Sequence, residues 1–295
     1  LGNGQGDLGY GQGTRYGVSP SSFEVSNSII SNNNIITAEA MNAIYTDMVR
    51  ARLHQTGSEP EEIAEIISGS NIVAESVSFI VNDEGATIVD PDGTKKGIED
   101  FENLMQSIEN DRFLLSPSQA SLESGVTSTR TQDWNGSIYH EFTVTFINEN
   151  HRRHFFNSGG EIRLNPSLSN AKNLKSQDWN ELLDRVGTLK FNYNSITSTV
   201  DSSGTNIGNY QLTGTYQTIY EKASTGYSAS TYAGNSFLVK AKVKNSNQLQ
   251  FRVEFDDSVV ESTGDTNIGG TLSNLVQIYR ANSSSVSIPK PSSVT

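Results

Sequence analysis

The chain has 295 residues, a net charge of −12 and no cysteine. At that length it has room for a real core and for one large or two ordinary domains. The acidic balance argues against a general grip on phosphate backbones, and the missing thiols exclude disulfides and thiolate chemistry. Hydrophobic residues make up only 34%, replaced by Asn, Ser, Thr and Gly, which suits a loop-rich β protein or one that draws stability from partners.

Residues 1–36 read as an extended arm. "LGNGQGDLGYGQGTRYG" is Gly-rich, Ser31-Asn-Asn-Asn34 is polar, and Tyr10, Tyr16 and Phe23 are its isolated anchors. Such a segment buries too little surface to fold alone and is expected to order on a neighbour. This opening has no basic and apolar start, so no signal peptide is expected, and the missing initiator Met reads as trimming. No apolar run approaches the ~18 residues a membrane helix needs, so a soluble protein is expected.

A small α-rich unit is expected over 37–115. Thr37 is a good N-cap, and Met41, Ile44, Tyr45 and Met48 follow helical spacing until the stop at Gln55-Thr-Gly57. Ser58-Glu-Pro-Glu-Glu predicts a second short helix through about Ser68. Val77, Phe79 and Val81 alternate as in a strand, and Asp90-Pro-Asp-Gly-Thr94 is a turn by its residue types. Ile98, Phe101, Leu104, Met105 and Ile108 restore helical spacing.

From 116 to 295 the dominant period is two. Phe142, Val144 and Phe146 alternate with polar residues, and so do Phe237 to Val243 and Leu249 to Phe255, with "NSN" between the last two as a hairpin turn. "HRRHFF" reads as a strand over 151–156, Asn157–Gly160 as a loop, and 161–165 as a returning strand. One helix over about 176–187 interrupts, capped by Ser176 and ended by Gly187, with Trp179, Leu182, Leu183 and Val186 on its apolar face. "GTLSNLVQIYRANSSSVSIPKPSSV" predicts a final strand and a Pro/Ser tail. The fold class expected is α+β, mainly β: an antiparallel β-sandwich-like domain with a small N-terminal helical unit and an extended arm.

The motifs carry little chemistry. On a strand, His151 and His154 point to opposite faces and cannot share a metal ion, and no other spaced ligand set exists. "NSGG" lacks the Lys-Ser/Thr of a phosphate loop, and "DPDGT" lacks the ligand spacing of a calcium loop. There is no nucleophile elbow and no paired-histidine zinc motif. Asp256-Asp257 and Glu61-Glu62 read as solvated surface acids. No cofactor, metal or catalytic residue is therefore expected. Arg152, Arg153 and Arg163 would cluster across the 151–165 hairpin and pair with carboxylates of this chain or a neighbour, as candidate intersubunit contacts with Tyr10, Tyr16 and Phe23. Trp134, at a turn in "TQDWNGS", is the candidate for stacking on a sugar, with Tyr227 and Tyr232 beside it as further loop aromatics.

"RRHFFNSGGEIRL" followed by "SQDWNELLDRVGTLKF" resembles a module of virion structural proteins of T4-like cyanophages and other marine tailed bacteriophages. "YGQG", "NNNIITAEAMNAIYTDMVRARLHQTG" and "GTLSNLVQIYRAN" are similar to parts of the same proteins; residues 58–130 carry no resemblance. The resemblance implies a non-enzymatic component of the tail, baseplate, neck or fibres, located in the virion. Its partners would be copies of itself and neighbouring virion proteins. The alternative is a tail-fibre module that binds host-surface glycan. Neither nucleic acid nor a membrane is an expected partner.

Overall fold

The computed structural model describes residues 37–60, 79–81, 87–89, 98–257, 264–284 and 287–295. The arm with Tyr10, Tyr16 and Phe23, the helix expected through Ser68 beyond Pro60, and the turn at 90–94 lie outside these residues. The chain divides into two compact units, one reaching Ala120 and adding Ala281–Ile288, the other Ser121–Arg280 with Pro289–Thr295.

In the first unit, Thr37 opens α1 (Ala38–Thr56) by accepting from the Ala40 amide. Gly57 closes it at φ 79°, and a Cβ there would stand 2.2 Å from Ser118 Oγ, so only glycine serves. The strands β1 (Phe79–Val81) and β2 (Thr87–Val89) pair antiparallel. The helix α2 (Ile98–Asn110) turns Phe101 and Leu104 onto Met48, and Met41, Ile44, Tyr45 and Ile108 flank them. This is the spacing expected of both helices. Arg52 pairs with Asp111, and Gln55 Nε2 donates to the Ile108 carbonyl at 2.8 Å, tying the end of α1 to the end of α2. Residues 281–288 join this unit through the Asn282 amide, which donates to the Gln119 carbonyl.

The second unit holds the main core. Its strands and helices are β3 (Ala120–Arg130), β4 (Ile138–Thr145), α3 (Glu149–Asn157), β5 (Glu161–Ser169), α4 (Leu174–Val186), β6 (Leu189–Phe191), β7 (Ile196–Ser198), β8 (Gly204–Thr205), β9 (Gln217–Ala223), β10 (Ser236–Asn245), β11 (Gln248–Asp256), β12 (Thr271–Ala281) and β13 (Ser293–Val294). They form two antiparallel sheets. One runs β13-β4-β11-β10-β9, the other β3-β12-β5-β6-β7-β8. The mainly β, sandwich-like class expected from the alternation is what the chain adopts. Phe237↔Phe255, Val239↔Val253 and Ala241↔Phe251 are cross-strand pairs on the inner face of β10 and β11. On the outer face Lys240 lies opposite Arg252, a like-charge pair relieved by Glu254 on Lys240 and Glu141 on Arg252. Phe191 from one sheet meets Phe251 from the other with ring centroids 5.1 Å apart, and Phe251 stacks on Phe142. Each such ring, taken fully out of water, contributes about 1.5–3 kcal/mol.

Three segments depart from the sequence reading. Residues 151–156 are helical, not a strand: they belong to α3, where His151, His154 and Phe155 share the buried face at i, i+3, i+4. Asn148 caps this helix by accepting from the His151 amide at 2.8 Å. The turn that follows needs both glycines. Gly159 has φ 80°, and a Cβ on Gly160 would sit 2.4 Å from the Phe155 carbonyl oxygen. The helix α4 begins at Leu174, capped by Asn173 rather than Ser176, because Asn173 Oδ1 accepts from both the amide and the hydroxyl of Ser176. The Pro/Ser tail is not a loose tail: β13 pairs with β4, and Thr143 and Thr295 exchange backbone hydrogen bonds at 2.7 and 3.0 Å.

Candidate functional site

The arginines expected to form one cluster occupy different settings. Arg163 projects outward from β5, bonds Glu161 at 2.6 Å and lies 4.0 Å over the Tyr279 ring, so its charge is engaged on its own sheet. Arg152 and Arg153 ride on α3 instead, and the hairpin that was to unite all three does not form. Arg153 is exposed. Arg152 is half-buried, and its Nε and Nη1 are out of water with no hydrogen-bond partner among the described residues. Burial pushes its guanidinium below the ordinary arginine range, partly offset by Glu149 and reinforced by Arg153.

Trp134 does not stand ready for a sugar. It is 5% exposed, because its backbone pairs with Ile268 and its indole packs on Trp179 and Phe255. Tyr232 is buried too, with its hydroxyl accepting from the Asp265 amide. Tyr227 is half-buried under Arg185.

The sequence reading missed the polar groups inside the second unit. Asp257, expected as a surface acid, is fully buried with Lys175, whose ammonium lies 2.8 Å from Asp257 Oδ2 and donates to the Thr266 carbonyl. Asp178 is equally buried and accepts from the Ser224 hydroxyl and the Ser228 amide. These groups dock the first turns of α4 onto the loops at 224–228 and 265–269. Every named partner is internal, which makes this a structural network.

A cleft of about 240 Å³ opens where β3 and β12 of one sheet face β4 and β11 of the other. Two polar residues occupy inward positions there. In β12 the inward series runs Leu272, Asn274, Val276, Ile278, and in β4 it runs Ile138, His140, Phe142, Val144. Asn274 is 2% exposed, with Nδ2 3.2 Å from His140 Nδ1 and Oδ1 lacking any partner among the described residues. Burial lowers the His140 pKa, so the ring is neutral near pH 7, with Nδ1 as acceptor and Nε2 carrying the proton. Ser128 and Thr129 of β3 also line the cleft, and Phe255 and Leu272 bring apolar surface. Tyr139, between the inward Ile138 and His140, turns to the outer face, 63% exposed with Arg252 4.6 Å over its ring. Asn274 was visible in "GTLSNLVQI" as the one polar residue in the apolar phase of a strand.

His151 and His154 now share a helix face, yet His151 is spent. Its Nδ1 accepts from the Ile147 amide and its Nε2 donates to the Pro289 carbonyl at 2.7 Å. No group of three or more His, Asp or Glu among the described residues is arranged to hold a metal ion. No helix among them is long and apolar enough to cross a membrane. No family model, no curated protein and no solved structure matches the chain.

Proposed function

We propose that this chain is a non-enzymatic structural subunit of a tailed-bacteriophage virion, tail-associated at the baseplate, neck or fibre attachment. The resemblance of residues 151–191 to virion structural proteins motivates the reading. Those residues build α3, β5, α4 and β6, which supply Phe155, Phe156, Trp179 and Phe191 to the core. The resembling block is thus framework, consistent with a family defined by its fold and assembly rather than by an active centre.

The observation that carries the assembly reading is Arg152. A guanidinium with two donor nitrogens out of water and unpartnered is costly by about 1–3 kcal/mol or more. A carboxylate from an adjacent subunit would satisfy it with a charge-assisted bond, beside the exposed Arg153. In an acidic protein such a basic helix face favours association with copies of itself or other acidic neighbours.

Two measurements test this. Mass spectrometry of gradient-purified particles, from the virus whose genome encodes the chain, should find its peptides. Their absence would end the virion reading. Charge reversal at both Arg152 and Arg153 should sharply reduce incorporation into particles while leaving the thermal midpoint of the free protein within about a few degrees. Normal incorporation of that variant would remove the α3 face from the contact.

A further inference from the structure

The cleft between the β3/β12 and β4/β11 edges is not accounted for by assembly. The inner phase of a sandwich strand is the place for apolar side chains, and β12 follows this rule at Leu272, Val276 and Ile278. Asn274 breaks it. A buried amide whose oxygen finds no donor destabilises the fold, so the position needs a reason. His140, opposite on β4, accepts from that amide through Nδ1. The pair leaves one unfilled acceptor, Asn274 Oδ1, in a recess lined by Asn274, His140, Ser128, Phe255 and Leu272.

The chemistry of the recess selects its occupant. A phosphate would want several cations, and Arg130 is the one full positive charge in the lining. An acyl chain would leave the amide oxygen unsatisfied. A peptide needs more space, since about 240 Å³ falls below the roughly 300–1,000 Å³ of sites for drug-sized ligands. A sugar ring fits each constraint. Its hydroxyls both donate and accept, its C–H face packs on apolar and aromatic surface, and one ring matches the volume.

We propose that this cleft binds a single saccharide ring, with Asn274 Oδ1 accepting from one ring hydroxyl and Phe255 and Leu272 meeting its apolar side. The site is distinct from Trp134, which is closed to ligand. It does not rest on the virion reading, and either can fail alone. Arg130 adds a preference for a ring bearing a carboxylate.

The test is saturation-transfer NMR on the full chain with the methyl glycosides of glucose, galactose, N-acetylglucosamine and galacturonic acid. At least one should receive saturation, with a Kd on the order of millimolar for so small a contact. Asn274→Leu removes the acceptor while keeping volume, and Ser128→Phe fills the cleft from β3. Each should weaken binding by about tenfold or more, the equivalent of one buried hydrogen bond, in protein that melts as a folded chain. No transfer from any of the four sugars overturns the proposal and leaves water as the partner of Asn274. Transfer that survives both variants in folded protein also overturns it, because the sugar would then sit elsewhere.

Discussion

Lys175 and Asp257 lie 2.8 Å apart with side chains 1% and 0% exposed. A pair so placed roughly breaks even as a pair, but each partner is expensive without the other. Asp257→Ala should therefore lower the unfolding free energy by about 3–5 kcal/mol, and joint replacement of Lys175 by Met and Asp257 by Leu should restore most of it. Urea unfolding of the three variants checks this; equal losses in the single and double variants would contradict it. The buried histidines set a pH dependence. Burial lowers the pKa of His140, and burial together with Arg280 lowers that of His151, against about 6.5 in the unfolded chain. Between the folded and unfolded values the unfolded chain binds more protons. The associated stability is fully present above about pH 6.5 and is lost progressively as pH falls from there through the lower folded values. The urea midpoint should drop between pH 7.5 and pH 5.5, and His140→Leu should flatten part of the drop. Little of this was legible in the sequence. Asp256 and Asp257 are neighbours of the same type, yet one meets Ser137 at the surface and the other is sealed beneath α4. Only the long-range packing tells them apart.

Helices and strands were more legible than their side-chain settings. Thr37, Gly57 and Gly187 mark helix ends through local backbone chemistry that needs no tertiary partner. The hairpin of β10 and β11 was readable for the same reason, as strict alternation flanking a short polar turn. At α3 the local signal was too short. Its 9 residues make barely more than two turns, and they follow directly on the alternation of β4. The i, i+3, i+4 spacing of His151, His154 and Phe155 and the Asn148 cap were the correct cues. Caps here do more than end helices. Asn173 accepts twice from Ser176 and donates through Nδ2 to the Asn267 carbonyl at 2.8 Å, so it also pins the 265–269 loop. Asn173→Ala should cost about 2 kcal/mol, at the upper end for a cap, whereas Asn148→Ala, with one capping bond noted, should cost about 1 kcal/mol. Equal thermal shifts for the two would show that the loop bond adds nothing. The last strand could not be foreseen, because two residues of Ser-Val carry no periodicity and pair only once β4 offers its edge.

Across the molecule, contacts join residues far apart in sequence. Arg280 reaches Glu123 over 157 positions, and the Ser292 hydroxyl reaches the Thr145 carbonyl over 147. Antiparallel sheets closed by such distant strands fold slowly, because loop-closure entropy must be met before the contacts form. Refolding from urea should proceed in milliseconds to seconds or slower. Fluorescence of Trp134 and Trp179, 5.2 Å apart in the core, reports it, and microsecond recovery would contradict the expectation. The place of β4, between β11 and the edge strand β13, also has a consequence for biosynthesis. At roughly 5–20 residues per second, a separation of 147 positions keeps β4 waiting about 7–30 s on the ribosome for its second neighbour. During that interval its edge carries unpaired backbone N–H and C=O groups, so the nascent chain, more than the finished protein, is where a chaperone would be needed.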